Sequence, residues 1–89
     1  MKQIEVQVVN RLGLHARAAA RFVKLASSFE SRITASRDGS RVNGKSILGL
    51  LTLAARKGSK LQLTAEGSDA AEALAKLDLL VRGRFGEDE

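Results

Sequence analysis

The chain contains no cysteine, proline, tryptophan or tyrosine, and its only aromatic residues are three phenylalanines. Without thiols it can form neither a disulfide scaffold nor a thiolate metal site. A single histidine leaves too few imidazoles for a His-rich centre, so no metal and no other cofactor is expected. Aromatics make up 3% of the residues against 44% apolar in total, which leaves aliphatic side chains and alanine to build the core. No apolar run approaches the ~18 residues that a membrane-spanning helix needs, and no basic leader with an apolar segment and cleavage site is present. A cytoplasmic protein without membrane insertion is the expectation. Paired carboxylates, a phosphate-binding glycine loop and a nucleophile triad are also missing, which argues against a self-sufficient enzyme. Acidic residues are outnumbered, 10 against 15 basic, and the net charge of +5 favours an acidic partner.

What is present is strongly patterned. "KQIEVQVV" alternates, with Ile4, Val6 and Val8 on one face, and predicts a half-buried strand. "NRLGLH" breaks the alternation at Asn10 and Gly13 and reads as a loop. From Ala16 to about Ser28 the period becomes helical through Ala19, Phe22, Val23 and Ala26. "SRITASR" alternates again, "DGS" at 38–40 signals a hairpin, and Val42 lies in the return strand. A short helix follows in "KSILGLLTLAARKG", with Ser46 as its N-cap and Gly58 beyond its end. "KLQLTAE" is a strand with Leu61, Leu63 and Ala65 on one face. The last helix opens at Asp69 and Glu72 in a capping-box-like spacing and buries Ala70, Leu74, Leu77 and Val81. The order β-α-β-β-α-β-α predicts an α+β fold, an open-faced sandwich whose four-stranded antiparallel sheet is covered on one face by three helices. One domain spanning residues 1–89 is expected, with about 85–89 as a frayed tail.

The lone histidine sits in "GLHARAAARF", residues 13–22. Lone histidines are most often surface or capping residues; position sets this one apart. His15 stands where the Gly13 loop meets the helix beginning near Ala16. The first amides of a helix have no internal partner and carry the positive end of the macrodipole, which suits an anion. Arg17 adds a permanent guanidinium matched to phosphate oxygens. These neighbours oppose a charged imidazole and favour a dianion bound to it. A neutral ring has a free lone pair and can serve as a nucleophile through a covalent intermediate.

"GLHARAAARF", together with "NGKSILGLLTL" at the second helix and "TAEGSDAAEAL" entering the third, resembles the HPr family, the histidine-containing phosphocarriers of the bacterial phosphotransferase system. The likeness runs over essentially the whole chain. It implies that His15 takes a phosphoryl group on Nδ1 from phospho-enzyme I, charged by phosphoenolpyruvate, and passes it to an EIIA-type domain. It implies Arg17 as the neighbour of that phosphate, with the helix N-terminus at Ala16, Arg17 and Ala18 stabilising it. The family usually has proline where this chain has Ala18. Alanine keeps the helix at a cost of about 0.4–1 kcal/mol through a looser unfolded chain. Ser46 matches a serine that an ATP-dependent HPr kinase/phosphorylase modifies in some branches. "FGEDE" and "NRLGLHAR" lean toward a nitrogen-type regulatory (NPr-like) relay and "GKSILGLLTL" toward serine-regulated sugar uptake.

The second helix is too greasy to hide all its side chains. With Ile47, Leu50 and Leu53 turned inward, Leu48 and Leu51 are left exposed or half-exposed beside the His15 loop. A partner surface drawing on Leu14, Ala20, Arg21, Lys24, Lys45, Ile47, Leu48 and Leu51 is expected, an apolar centre rimmed by positive charge. The rival reading is a small basic RNA-binding domain. Single-strand readers stack bases on aromatic side chains, whereas Phe22, Phe29 and Phe85 all lie on or beside helices. A monomer that binds no nucleic acid is expected.

Overall fold

The computed structural model describes all 89 residues. Strands β1 (Lys2–Gln7), β2 (Arg32–Arg37), β3 (Ser40–Asn43) and β4 (Lys60–Glu66) form one antiparallel sheet in the order β1-β4-β2-β3. Register follows the alternation. Ile4 pairs with Leu63, Leu63 with Ala35, and Ala35 with Val42, so one row of apolar side chains crosses the sheet on its inner face. The outer face carries the rows Gln3–Thr64–Thr34–Asn43 and Glu5–Gln62–Ser36–Arg41, knit in part by Gln62 donating to Glu5 at 2.8 Å. The β2–β3 turn places Asp38 at φ 51° and Gly39 at φ 86°, both in the left-handed region that a two-residue primed hairpin requires.

Helices α1 (Ala16–Ala26), α2 (Ile47–Thr52) and α3 (Ala70–Arg82) cover the inner face. From α1, Ala18, Ala19, Phe22 and Ala26 are buried, and the methyl side chains let α1 pack against α2 and α3. From α3, the stripe of Ala70, Leu74, Leu77 and Val81 is buried as its spacing predicts, joined by Ala73. No helix is long and apolar enough to cross a membrane.

Three local expectations are corrected. The second helix ends at Thr52 rather than continuing toward Gly58, because Ala54 enters the left-handed region at φ 51°. The segment after it is instead used as a brace: Ala55 O accepts from Leu14 N–H at 2.9 Å, and Val8 exchanges bonds with Ser59 and Gly58. Asp69 makes no capping bond to its own helix. Its carboxylate accepts from Glu30 N–H (2.9 Å), Ser31 N–H (3.0 Å) and Ser31 Oγ–H (2.5 Å), tying the start of α3 to the turn between α1 and β2. Finally, residues 85–89 are not frayed. Arg84 (φ 60°) and Phe85 (φ 53°) reverse the chain after α3, Phe85 is fully buried, and the last residues lie against the loop before α1.

The Ser31 hydroxyl and the Glu30 amide hold the Asp69 carboxyl below its ordinary value of 3.8. A depressed carboxyl pKa adds stability that is complete above the unfolded value and is lost as pH falls through the lower folded value. Asp69→Asn should therefore melt below wild type at pH 7, and the gap should narrow on acidification below about pH 4. Thermal melts followed by circular dichroism check this; an equal gap at both pH values counts against the staple.

Candidate functional site

Gly13 and Leu14 place the histidine. Gly13 adopts φ +69°, and a Cβ there would lie 2.5 Å from Ala55 O, so both the backbone and the close approach require glycine. Leu14 is 5% exposed and bonded to Ala55. It therefore anchors the loop in the core and is not part of a partner surface, contrary to expectation. His15 is the N-cap of α1, with extended backbone (φ −81°, ψ −179°), and its carbonyl accepts the first helical bond from Ala19 N–H at 2.8 Å.

The imidazole is accessible, with 27% of its side chain exposed. Nδ1 accepts from Arg17 N–H at 3.3 Å, and Nε2 faces the Glu87 carboxylate. A ring nitrogen that accepts an amide proton carries no proton of its own, and one that faces a carboxylate oxygen donates. The hydrogen-bond pattern thus selects the tautomer with the proton on Nε2 and the lone pair on Nδ1, aimed at the amides opening α1. An electrophile reaching Nδ1 would displace one weak amide contact and meet the N-terminal dipole.

Glu87 is itself held. Asn10 Nδ2 donates to Glu87 Oε1 at 2.8 Å and to Gly13 O at 2.8 Å. The Asn10 amide, then His15 and the charge of Arg21, keep the Glu87 carboxyl below its ordinary range. On either side of Glu87, Arg21 donates to Phe85 O at 2.5 Å, and Arg11 meets Glu89 through both its guanidinium (2.7 Å) and its amide (2.9 Å). Arg11, Leu12, Arg17, Arg21 and residues 86–89 line a polar pocket of about 390 Å³. Neither Asn10 nor Glu87 was singled out as functional from the sequence. The available signal was Phe85: in a chain with three aromatics, one placed after the last helix argues for a segment that folds back.

The predicted surroundings are partly reproduced. Arg17 is exposed on the rim of the pocket, Ala16 is exposed, and Ala18 is buried, so Ala18 can offer an anion only its backbone amide. Ala20, Arg21 and Lys24 are exposed on α1. On α2, Leu48 is 77% and Ile47 40% exposed, while Leu50 and Leu53 are buried and Leu51 is half-buried. Ile47 therefore points outward, because a helix of six residues buries only one narrow stripe. Lys45 is half-buried, and its ammonium donates to Phe29 O at 2.7 Å, which commits it to the fold more than to a charged rim. Leu12, 58% exposed beside the pocket, is an apolar contact the sequence reading missed. Ser46 caps α2, with Oγ accepting from Gly49 N–H at 3.0 Å. No three metal-ligating side chains stand together. The outer sheet face carries no aromatic ring in its two cross-strand rows, so it offers no platform for stacked bases.

The comparisons with known proteins agree on one family. Residues 2–82 match the family model described as the PTS HPr component phosphorylation site. The phosphocarrier protein HPr of Neisseria meningitidis is 47% identical over 89 residues, covering all of both chains. The HPr-like protein Crh of Bacillus subtilis is 45% identical over 82 residues, covering 92% of this chain and 96% of its own. A crystal structure of HPr from Thermoanaerobacter tengcongensis superposes with a TM-score of 0.96 at 43% identity over the full length of both chains. An accessible histidine capping a helix beside an arginine, within this sheet order and across this length of match, places the chain in the HPr family of phosphocarrier proteins of the phosphotransferase system.

Proposed function

We propose that this chain is a single-domain, monomeric, cytoplasmic shuttle that accepts a phosphoryl group on His15 Nδ1 from phospho-enzyme I and delivers it to EIIA-type domains. The observation that carries this reading is the ring's orientation: Nδ1 unprotonated toward the opening of α1, Nε2 turned to Glu87. In the forward step the Nδ1 lone pair forms the P–N bond while the donor's bond to phosphorus breaks, its electron pair staying with the donor. The Arg17 guanidinium and the α1 amides then face the phosphoryl oxygens. They hold the group without burying it, so an acceptor can attack the opposite side of the phosphorus. Incubation with phosphoenolpyruvate and enzyme I, followed by site mapping of the label, tests this; label absent from position 15 overturns it. Running sugar-type and nitrogen-type enzyme I in parallel assigns the branch.

The exposed Leu48 and Ile47 and the half-buried Leu51 of α2 support a docking role. Leu48→Ser combined with Leu51→Ser should slow transfer about tenfold, the loss of one to two modest interface contacts, with less than about 2 kcal/mol lost in stability. Unchanged transfer kinetics in a folded variant reject the patch. Ser46 lies beside Ile47 on this surface, and we propose that an HPr kinase/phosphorylase modifies it, adding negative charge that repels acidic partners. Phosphoserine at position 46, mapped by mass spectrometry after incubation with ATP and extract of its own organism, is the corresponding check; its absence counts against the regulation.

A further inference from the structure

The group facing the histidine on its far side comes from the opposite end of the chain. Glu87 is 72 residues from His15 in sequence and reaches Nε2 only because the C-terminal segment is strapped back across the α1 loop. Its side chain is 11% exposed, more enclosed than the ring it meets. The strap is fastened by the buried Phe85, by Arg21 on the Phe85 carbonyl and by Arg11 on Glu89. Asn10, which is fully buried, completes the arrangement: its amide donates to Glu87 and to the Gly13 carbonyl, while its own Oδ1 has no partner. A buried oxygen without a donor is destabilising, so an asparagine at this position is poor core design by packing alone. Both of its N–H groups, however, are spent on orienting the carboxylate and the loop that present the imidazole.

We propose that Glu87, braced by Asn10, is a positioning residue for phosphoryl transfer: it keeps the proton on Nε2, so that Nδ1 is the nucleophile, and it offsets the positive charge the ring acquires as the P–N bond forms. This rests on His15 being the phosphoryl acceptor. During attack, Nδ1 donates its pair to phosphorus and electron density is drawn from Nε2. The Nε2 proton stays between that nitrogen and Glu87 Oε2, and no proton leaves the pair. When the phosphoryl group departs, the pair returns to Nδ1 and the same tautomer is restored. Without the carboxylate the neutral ring distributes between two tautomers, and the one with Nδ1 protonated cannot attack. The logic is that of a carboxylate orienting a catalytic imidazole, where the wrong tautomer is inert.

The test pairs two readouts on wild type, Glu87→Ala and the shape-preserving Glu87→Gln. Nitrogen-15 NMR of the imidazole, recorded on unphosphorylated protein, should show one tautomer with Nε2 protonated in wild type and a mixture in Glu87→Ala. Phosphorylation by phospho-enzyme I should slow about 10- to 100-fold in kcat for Glu87→Ala, with KM changed less than about threefold. Glu87→Gln, whose single oxygen must serve Asn10 or His15, should fall between the two. An unchanged tautomer and an unchanged rate in either folded variant, with wild type labelled at position 15, overturns the role of Glu87 alone. Wild type left unlabelled overturns the phosphocarrier reading and this one with it.

Discussion

Replacing Phe85 with alanine should cost about 3–5 kcal/mol, the range for deleting a fully buried aromatic ring. For a domain of this size that lowers the melting temperature by at least ~12 °C, since each kcal/mol is worth ~4–8 °C. Phe85 is the last core residue in the chain, and the backbone there holds a left-handed conformation that burial of its ring helps to compensate. Losing the ring releases residues 86–89 from the α1 loop, so the Asn10–Glu87–His15 contacts go with it. The variant should consequently also transfer phosphoryl groups more slowly at temperatures where it remains folded. Differential scanning calorimetry decides the stability claim. A melting temperature within a few degrees of wild type means that the terminus contributes nothing to the core.

His15→Gln should abolish phosphorylation by enzyme I and phosphoenolpyruvate altogether. The chain has no second histidine and no cysteine, so no other imidazole or thiol can take the phosphoryl group in its place, and its lysine and arginine nitrogens are protonated and not nucleophilic near pH 7. A serine or threonine hydroxyl, such as that of Ser46, would give a phosphoester, which survives acid where a phosphoramidate does not. An acid-stable label in wild type would therefore redirect attention from His15 to a hydroxyl. The fold should tolerate the change: His15 is an N-cap whose removal costs about 0.5–2 kcal/mol. Loss of label in a protein with a near-native melting temperature assigns the chemistry to the ring and not to the scaffold.

The two substitutions separate what neighbouring residues encode from what distant ones do. Alternation in β1 and β4, the Asp38-Gly39 turn and the stripe of α3 depend on contacts a few residues apart, and each was legible from the pattern. So was the placement of His15, because an N-cap is defined by the loop before it and the helix after it. Asp69 was misread for the same reason. Its spacing to Glu72 suggested a local cap, but three donors 38 and 39 residues away, at Glu30 and Ser31, outcompete one from its own helix. Ile47 could be placed on the inner stripe or in the partner surface from its spacing, and its exposure decides for the surface, because periodicity cannot tell how much of a short helix the core covers. Lys45 shows the limit for charges: the sequence supplies an ammonium, and only packing reveals that a carbonyl has claimed it.

By itself the sequence determined the elements, their order, the antiparallel sheet with its helical cover, and the histidine set before a helix with an arginine beside it. These rest on side-chain periods, turn dihedrals and cap chemistry, all short-range properties that each segment carries with it. Only the tertiary structure supplied a physical reason for one nitrogen of that histidine to be free. The choice depends on a carboxylate brought from 72 residues away by a chain reversal at Arg84 and Phe85, and no local pattern encodes where a reversed tail will land.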